Sequence, residues 1–170
     1  MSWVDTVKER IPDYAKDVRL NLDNVINRSS LSIEEATACA LAASAATDNK
    51  TLTKIIGDGL ENEVERSAAL TAAAVMAQNN MWYPYVEMVG DEQLKGLPAQ
   101  LRMNAIASHG GTTKLRFEAY SLAASTVGKC HFCVQAHYKN LKKEGYTVEQ
   151  LRDIGRIAAV VYSVARTILV

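Results

Sequence analysis

The sequence predicts an all-α protein that forms a single domain. Only three prolines and nine glycines interrupt its 170 residues, and long alanine- and leucine-rich segments lack the period-two alternation that is typical of strands. A chain of this length can bury one hydrophobic core, and a second domain is not expected. We therefore expect residues 1–170 to form one helical domain.

Start and stop signals divide the first half of the chain into four predicted helices. Ser32 and Glu35 have the spacing of a capping box, which marks a helix start. The alanine-rich fourth helix is expected to end before Pro84, because proline lacks the N–H group that a helix interior needs. The four predicted helices cover residues 13–27, 32–46, 49–58 and 61–80.

The second half contains four more predicted helices. Pro98 suits the first turn of a helix that the Gly110-Gly111 pair ends. Thr147 and Gln150 form a second capping box, which opens the last helix. These four helices are predicted over residues 99–108, 113–127, 130–144 and 147–170.

Short matches in the same order predict an internal duplication of the helical fold. Leu41-Ala-Ala-Ser44 recurs as Leu122-Ala-Ala-Ser125, and Ala73-Ala-Val75 recurs as Ala158-Ala-Val160. Residues 31–80 would form a degenerate first repeat and residues 113–170 a catalytic second repeat. The alignment pairs Thr37, Asn49, Leu52 and Ile56 with Glu118, Cys130, Cys133 and His137, respectively. The first repeat therefore lacks the reactive groups and is expected to be scaffold.

The charge balance and the chain start restrict the class of protein. Lys plus Arg and Asp plus Glu number 19 each, and this zero net charge argues against a nucleic-acid or anionic-membrane surface as the main partner. The first ten residues lack the apolar core of a signal peptide, and no later apolar run is long enough to span a bilayer. We expect a cytoplasmic protein that binds neither nucleic acid nor membrane.

A Cys-x-x-Cys motif is the most informative feature of the sequence. In a helix, Cys130, Cys133 and His137 would lie within about 60° on one face. Cys130 follows Lys129 at the predicted helix start, where the helix dipole lowers the pKa of a thiol. Cys133 should be less exposed and would need His137 as its base. Glu118 shares an apolar stripe with neighbouring leucines, so its carboxylate should point inward, towards a compensating histidine.

Two other interpretations of the motif are open from the residues alone. The cysteines are either unreactive buried thiols or ligands of a zinc site, together with His137 and with Glu118 or His131 as the fourth ligand. No metal is needed for the redox interpretation. His131 lies about 100° from Cys130 on the helix and is expected to flank the reactive face or to act as a substitute relay.

Other residues have structural interpretations. Phe132 is expected to pack into the core or a subunit contact. Cys39 is expected to be a buried filler, and His109 is expected at a helix C-terminus. The aromatic cluster around Pro84 is interpreted as core, subunit contact or pocket lining; it consists of Trp82, Tyr83 and Tyr85.

Several segments together resemble the alkylhydroperoxidase D family, within the carboxymuconolactone decarboxylase-like superfamily. They cover almost the whole chain, and the spacing of Glu118, Cys130, Cys133 and His137 is the most specific part. The other segments are Leu101-Arg-Met, Gly110-Gly111, Phe117-Glu118, Ser121-Leu-Ala-Ala-Ser125, Ala136-His137, Gly145 and Ile157-Ala-Ala-Val160. Some members have a histidine just before the second cysteine, where this chain has Phe132, with His131 shifted by one.

The resemblance implies a duplicated all-helical fold and a thiol peroxidase that reduces alkyl hydroperoxides. It also implies that the dithiol re-reduces a partner peroxiredoxin, that lipoylated subunits of 2-oxoacid dehydrogenase complexes return the electrons, and that the protein is a homotrimer. By motif match, Glu118, Cys130, Cys133 and His137 take the functional positions.

The expected mechanism is a dithiol/disulfide cycle without a bound cofactor. Glu118 orients and charges His137, which draws the proton from Cys133, directly or through a water. The thiolate attacks the peroxide and becomes a sulfenic acid, and Cys130 then condenses with it to a disulfide that an external dithiol reduces. The reverse assignment of the two cysteines stays open. The alternative functions are a general disulfide oxidoreductase, a non-redox carboxymuconolactone decarboxylase-like enzyme and a zinc-stapled interaction module.

Overall fold

The computed structural model describes residues 1–168, and every regular element within them is helical, as predicted. Two 3₁₀ turns, Asp13–Ala15 and His109–Gly111, accompany the α-helices. The α-helices are α1 (Trp3–Lys8), α2 (Lys16–Asn27), α3 (Ile33–Ala45), α4 (Lys50–Asp58), α5 (Glu63–Val89), α6 (Glu92–Lys95), α7 (Ala105–Ser108), α8 (Lys114–Gly128), α9 (His131–Lys143) and α10 (Val148–Thr167). Residues 169 and 170, which were predicted to continue the last helix, lie outside the described residues.

Side-chain caps explain where the main helices begin. The hydroxyls of Ser32 and Thr147 accept hydrogen bonds from the third residue of α3 and α10, as the two capping-box motifs predict. At Thr147 the box is complete, because Gln150 binds back to the cap backbone. At Ser32 the partner Glu35 instead accepts a hydrogen bond from the hydroxyl of Tyr146. That bond ties the start of α3 to the loop before α10.

Helices α3 and α8 form the centre of the molecule. Nine consecutive residues of each, 36–44 and 117–125, are buried, and most are small. A helix buried on all its faces must be surrounded by other helices, and α5 and α10 pack against both. The burial of α8 explains why a carboxylate on that helix is enclosed.

Helix α5 does not end before Pro84, so that prediction was wrong. The helix continues to Val89 and ends at Gly90, whose φ of 68° is left-handed. A proline inside a helix removes one backbone hydrogen bond and costs about 3 kcal/mol. Tyr83, next to this proline, stacks on Phe132 of α9 with ring centroids 4.4 Å apart. Such a pair contributes about 0.5–1.5 kcal/mol, which recovers part of the cost.

The predicted helix over residues 99–108 was also wrong for most of its length. Only the last four residues, Ala105–Ser108, are helical, while α6 forms before the segment. Gln100 adopts a left-handed φ of 51°, which interrupts a right-handed helix. The neighbouring Leu97 is largely exposed, so little apolar burial stabilises a helix here.

The internal duplication stays a prediction, although the helix caps agree with it. The caps Ser32 and Thr113 are separated by the same number of residues as Leu41 and Leu122. The caps Asn49 and Cys130 have that separation too, and the side chain of each accepts a hydrogen bond from the backbone N–H three positions on.

No helix in residues 1–168 has the length and apolar character required to cross a membrane.

Candidate redox site

A tight turn between α8 and α9 places the first cysteine of the motif. The turn consists of Gly128 and Lys129, and Lys129 has a left-handed φ of 55°. A Cβ atom on Gly128 would lie 2.1 Å from the side-chain nitrogen of Asn80 on α5. That nitrogen donates to the backbone oxygen of Ala124, 3.3 Å away. Only glycine therefore fits at this turn, and α5 packs directly against it.

Cys130 and Cys133 are joined by a disulfide in this structure, with their Cα atoms 5.3 Å apart. Cys130 is the N-cap of α9, and its sulfur accepts a hydrogen bond from the backbone N–H of Cys133 at 3.2 Å. The expectation that Cys130 is the more exposed cysteine was wrong, because Cys130 is 0% exposed and Cys133 is 3% exposed. The cap turns the sulfur of Cys130 towards the helix rather than towards solvent. An external reductant therefore needs a local opening to reach either sulfur.

Glu118 of α8 and His137 of α9 form a hydrogen-bonded pair. His137 Nδ1 lies 2.7 Å from Glu118 Oε2, and both side chains are largely enclosed. Burial alone would raise the pKa of Glu118, but the hydrogen bond and charge of His137 lower it, and Asn140 and Lys114 add to this effect. The net result is a pKa below the usual value, so the carboxylate is ionised at neutral pH.

Met76 is a contact of the site that the sequence did not reveal. Its Sδ atom lies 3.2 Å from His137 Nε2, and the residue is completely buried. The sequence placed Met76 in an alanine-rich helix, 61 residues before the histidine, where a methionine is normally core packing. In the disulfide state, His137 is therefore held between Glu118 and Met76.

His131 and Phe132 lie on the outer side of α9. The side chain of His131 is 77% exposed, and its Nδ1 is 3.8 Å from Glu87 Oε1. Phe132 is 55% exposed, so the expectation that it packs into the core was wrong, whereas a subunit contact stays a prediction. Phe132 is the second residue after the cap, and its ring stacks on Tyr83 of α5 instead.

Several named proteins are similar to this chain over almost its whole length. The protein named "Alkyl hydroperoxide reductase AhpD" of Coxiella burnetii is 40% identical over 98% of this chain and 97% of its own length. Proteins of the same name from Rhodospirillum centenum and Gluconacetobacter diazotrophicus are each 39% identical, over 95% and 97% of this chain and 88% and 92% of their own lengths. The chain belongs to the AhpD family.

A second comparison supports this assignment of the family predicted from the sequence. The sequence model of the carboxymuconolactone decarboxylase family matches residues 92–168 of the chain. This segment contains both cysteines, Glu118 and His137. The match therefore includes all four predicted site residues, whereas Met76 lies outside it.

A groove of about 640 Å³ lies on the side of α9 opposite the cysteines in this AhpD-family chain. Trp82 and Tyr83 line it together with His131, Phe132 and Gln135. Two members of the aromatic cluster around Pro84 are thus pocket-lining residues, which was one of the three predicted placements. Because residues 131, 132 and 135 share the face of α9 away from Cys130 and Cys133, the groove is separate from the disulfide.

The remaining sequence predictions concern single residues and metal binding. Cys39 is a free, fully buried cysteine, as expected, and burial raises the pKa of its thiol. His109 caps the C-terminus of α7, also as expected. Within residues 1–168, no three His, Cys, Asp or Glu side chains are grouped so that they could hold a metal ion.

Proposed function

We propose that this chain reduces alkyl hydroperoxides through a dithiol/disulfide cycle of Cys130 and Cys133. The alkyl hydroperoxide reductase activity follows from its membership in the AhpD family. The observation that carries the cycle is the enclosed Glu118–His137 pair next to a Cys-x-x-Cys disulfide. A base held by a carboxylate beside a cysteine is the arrangement that activates a thiol nucleophile.

The peroxide step begins with the reduced protein. Glu118 orients His137, and His137 takes the proton of Cys133, directly or through a water. The Cys133 thiolate attacks the terminal peroxide oxygen, the O–O bond breaks, and the alkoxide takes a proton and leaves as the alcohol. Cys133 is left as a sulfenic acid.

The second half of the cycle restores the thiols. Cys130 attacks the sulfenic sulfur of Cys133, water leaves, and the disulfide seen in the structure forms. An external dithiol, such as a lipoyl group on a 2-oxoacid dehydrogenase subunit, reduces this disulfide by exchange. In the same proposal the dithiol also passes electrons to a partner peroxiredoxin. The protein would act as a homotrimer in the cytoplasm and would need no bound cofactor.

The roles of the two cysteines are assigned from the position of the base. His137 is one helical turn beyond Cys133 and on the same face, which favours Cys133 as the attacking thiol. Burial does not separate the two, since Cys130 and Cys133 are both enclosed. The reverse assignment predicts a stable sulfenic acid on Cys130 in the Cys133→Ser variant, whereas ours predicts it on Cys133 in Cys130→Ser.

The decisive experiment is peroxide consumption by the purified protein with dihydrolipoamide as donor. Cys130→Ser and Cys133→Ser should each abolish turnover and keep the helical fold, whereas Cys39→Ala, which removes the remaining thiol, should retain activity. Full activity in both serine variants would refute the cycle. Dithiol-dependent reduction of a protein disulfide without peroxide consumption would indicate a general disulfide oxidoreductase. Stoichiometric zinc released only on unfolding would indicate the zinc-stapled module.

A further inference from the structure

Met76 makes a contact with the catalytic histidine that the mechanism above does not use. Its Sδ atom is 3.2 Å from His137 Nε2, while Nδ1 of the same ring is 2.7 Å from Glu118 Oε2. Met76 lies on α5, Glu118 on α8 and His137 on α9. The packing of these three helices therefore places one ring nitrogen of His137 at Glu118 and the other at Met76.

The chemistry of these acceptors determines where the hydrogens of His137 lie. A thioether sulfur carries no hydrogen, so a hydrogen bond in this contact requires Nε2 as the donor. The ionised carboxylate of Glu118 is an acceptor only, so Nδ1 must donate as well. The lowered pKa of Glu118 supports its ionised form. A histidine that donates from both nitrogens is an imidazolium.

We propose that Met76 is a positioning residue that keeps His137 doubly protonated while Cys130 and Cys133 form the disulfide. The consequence for catalysis rests on the proposed function. In this state Nε2 carries the proton that a departing thiolate needs when the disulfide is reduced. His137 then serves as the acid in one half of the cycle and as the base in the other.

The exchange balances with the external dithiol as the reductant. One donor thiolate attacks the sulfur of Cys130, a donor–Cys130 bond forms, and the Cys130–Cys133 bond breaks. The bonding pair passes to Cys133, which takes the proton from Nε2. The second donor thiolate then attacks the donor sulfur of the mixed disulfide and releases Cys130. The donor is oxidised to its disulfide, the protein gains two electrons, and His137 is neutral.

A methionine suits this position better than a hydrocarbon or an oxygen acceptor. A leucine would leave the enclosed N–H without a partner, which is costly for a buried donor. An oxygen acceptor would bind the N–H more strongly, because sulfur is a weak acceptor. A thiolate formed at Cys133 is a charged acceptor, and charge-assisted hydrogen bonds are roughly twice as strong as neutral ones. The proton therefore stays on His137 Nε2 while Nε2 faces Met76, and it passes to Cys133 when the thiolate forms.

Nitrogen NMR of the disulfide form, with ¹⁵N-labelled histidine, tests the proposal without any turnover. The full chain has three histidines, so His109 and His131 serve as internal references. In the wild type near neutral pH, both ring nitrogens of His137 should have the shifts of N–H nitrogens. In Met76→Leu the Nε2 signal should move to that of a nitrogen without hydrogen. The matched control is Met88→Leu, on the same helix but 79% exposed, and it should leave the His137 signals unchanged.

Rapid-mixing kinetics test the catalytic consequence. Reduction of the disulfide by dihydrolipoamide should be at least about tenfold slower in Met76→Leu, since general acid–base catalysis contributes roughly 100- to 10,000-fold. Met88→Leu should react like the wild type, and Met76→Gln, which restores an acceptor, should recover the doubly protonated His137 signals. If Met76→Leu does not fold, the wild-type spectrum decides alone.

A His137 without hydrogen on Nε2 in the wild-type disulfide form would overturn the proposal, and so would unchanged spectra in Met76→Leu. These outcomes are distinct from failure of the proposed function. A wild-type protein that consumes no peroxide would refute the peroxidase cycle, while the spectra would still report on Met76. A fully active wild type with an unprotonated Nε2 would refute the role of Met76 alone.

Discussion

At the scale of single residues, the proposed relay rests on the 2.7 Å contact between His137 and Glu118. The carboxylate is on the central helix α8, whose burial removes most of its water. An isolated carboxylate in this place would have a raised pKa, and the histidine reverses that shift. The two residues therefore depend on each other, and their variants should not behave independently.

Glu118→Gln and His137→Phe should each slow alkylation of the reduced Cys133 thiol near neutral pH. The double variant should be little slower than either single one, because a base and its orienting carboxylate act as one unit. The measurement is the rate of iodoacetamide reaction with Cys133 in a Cys130→Ser background. Rates that fall by the product of the two single effects would show separate roles, and rates equal to that of the parent would remove the relay.

At the scale of helices, the turn between α8 and α9 sets the position of the disulfide. Gly128 allows α5 to approach this turn, and Asn80 of α5 occupies the space that a Cβ atom would need. A well-packed contact of this kind cannot take an added methyl group without movement of one helix. Because Cys130 follows two residues later, such a movement displaces the start of α9.

Gly128→Ala should therefore destabilise the protein by about 1–3 kcal/mol, the usual cost of overpacking. The oxidised form should also be reduced at a different rate, because the cap at Cys130 shifts. Gly155→Ala is the matched control, since it lies within α10 with nothing within 4 Å of its Cβ position. That variant should gain about 0.5–1 kcal/mol from helix propensity. Urea unfolding of both variants measures the difference, and equal stabilities would contradict the packing argument.

At the scale of the whole molecule, apolar side chains remain exposed beside the groove. They lie at the end of α5, in the following loop and on the outer side of α9, and large apolar patches of this kind mark contacts with other chains. The exposed residues are Met81, Tyr85, Met88, Val89, Leu97, Leu101 and Phe132. This surface supports the proposed self-association without fixing the number of subunits.

Sedimentation of the reduced protein at micromolar concentration should show an oligomer, and the family resemblance implies three copies. Phe132→Ala should weaken this association while costing the single chain no more than about 1.5 kcal/mol, because the half-exposed ring has mainly its stacking with Tyr83 to lose. Tyr14→Ala removes another exposed aromatic ring, on a different element, and should not affect association. A monomer under these conditions would refute the prediction.

The sequence by itself determined the helical class, the main helix starts, the family and the four-residue set of Glu118, Cys130, Cys133 and His137. These predictions depend on local signals: caps, helical spacing and a compact motif, each read from residues close together in the chain. The inward position of Glu118 followed in the same way from its place in an apolar stripe.

The tertiary structure alone decided which helices continue, which sulfurs are covered and what contacts His137. Local rules ended α5 at Pro84, whereas the packing of α5 against α8 and α9, together with the stacking of Tyr83 on Phe132, favours its continuation to Val89. Cys130 is enclosed because its sulfur caps α9. Met76 reaches His137 because α5 and α9 pack together. Contacts between residues far apart in sequence arise only from this packing, and no local pattern encodes them.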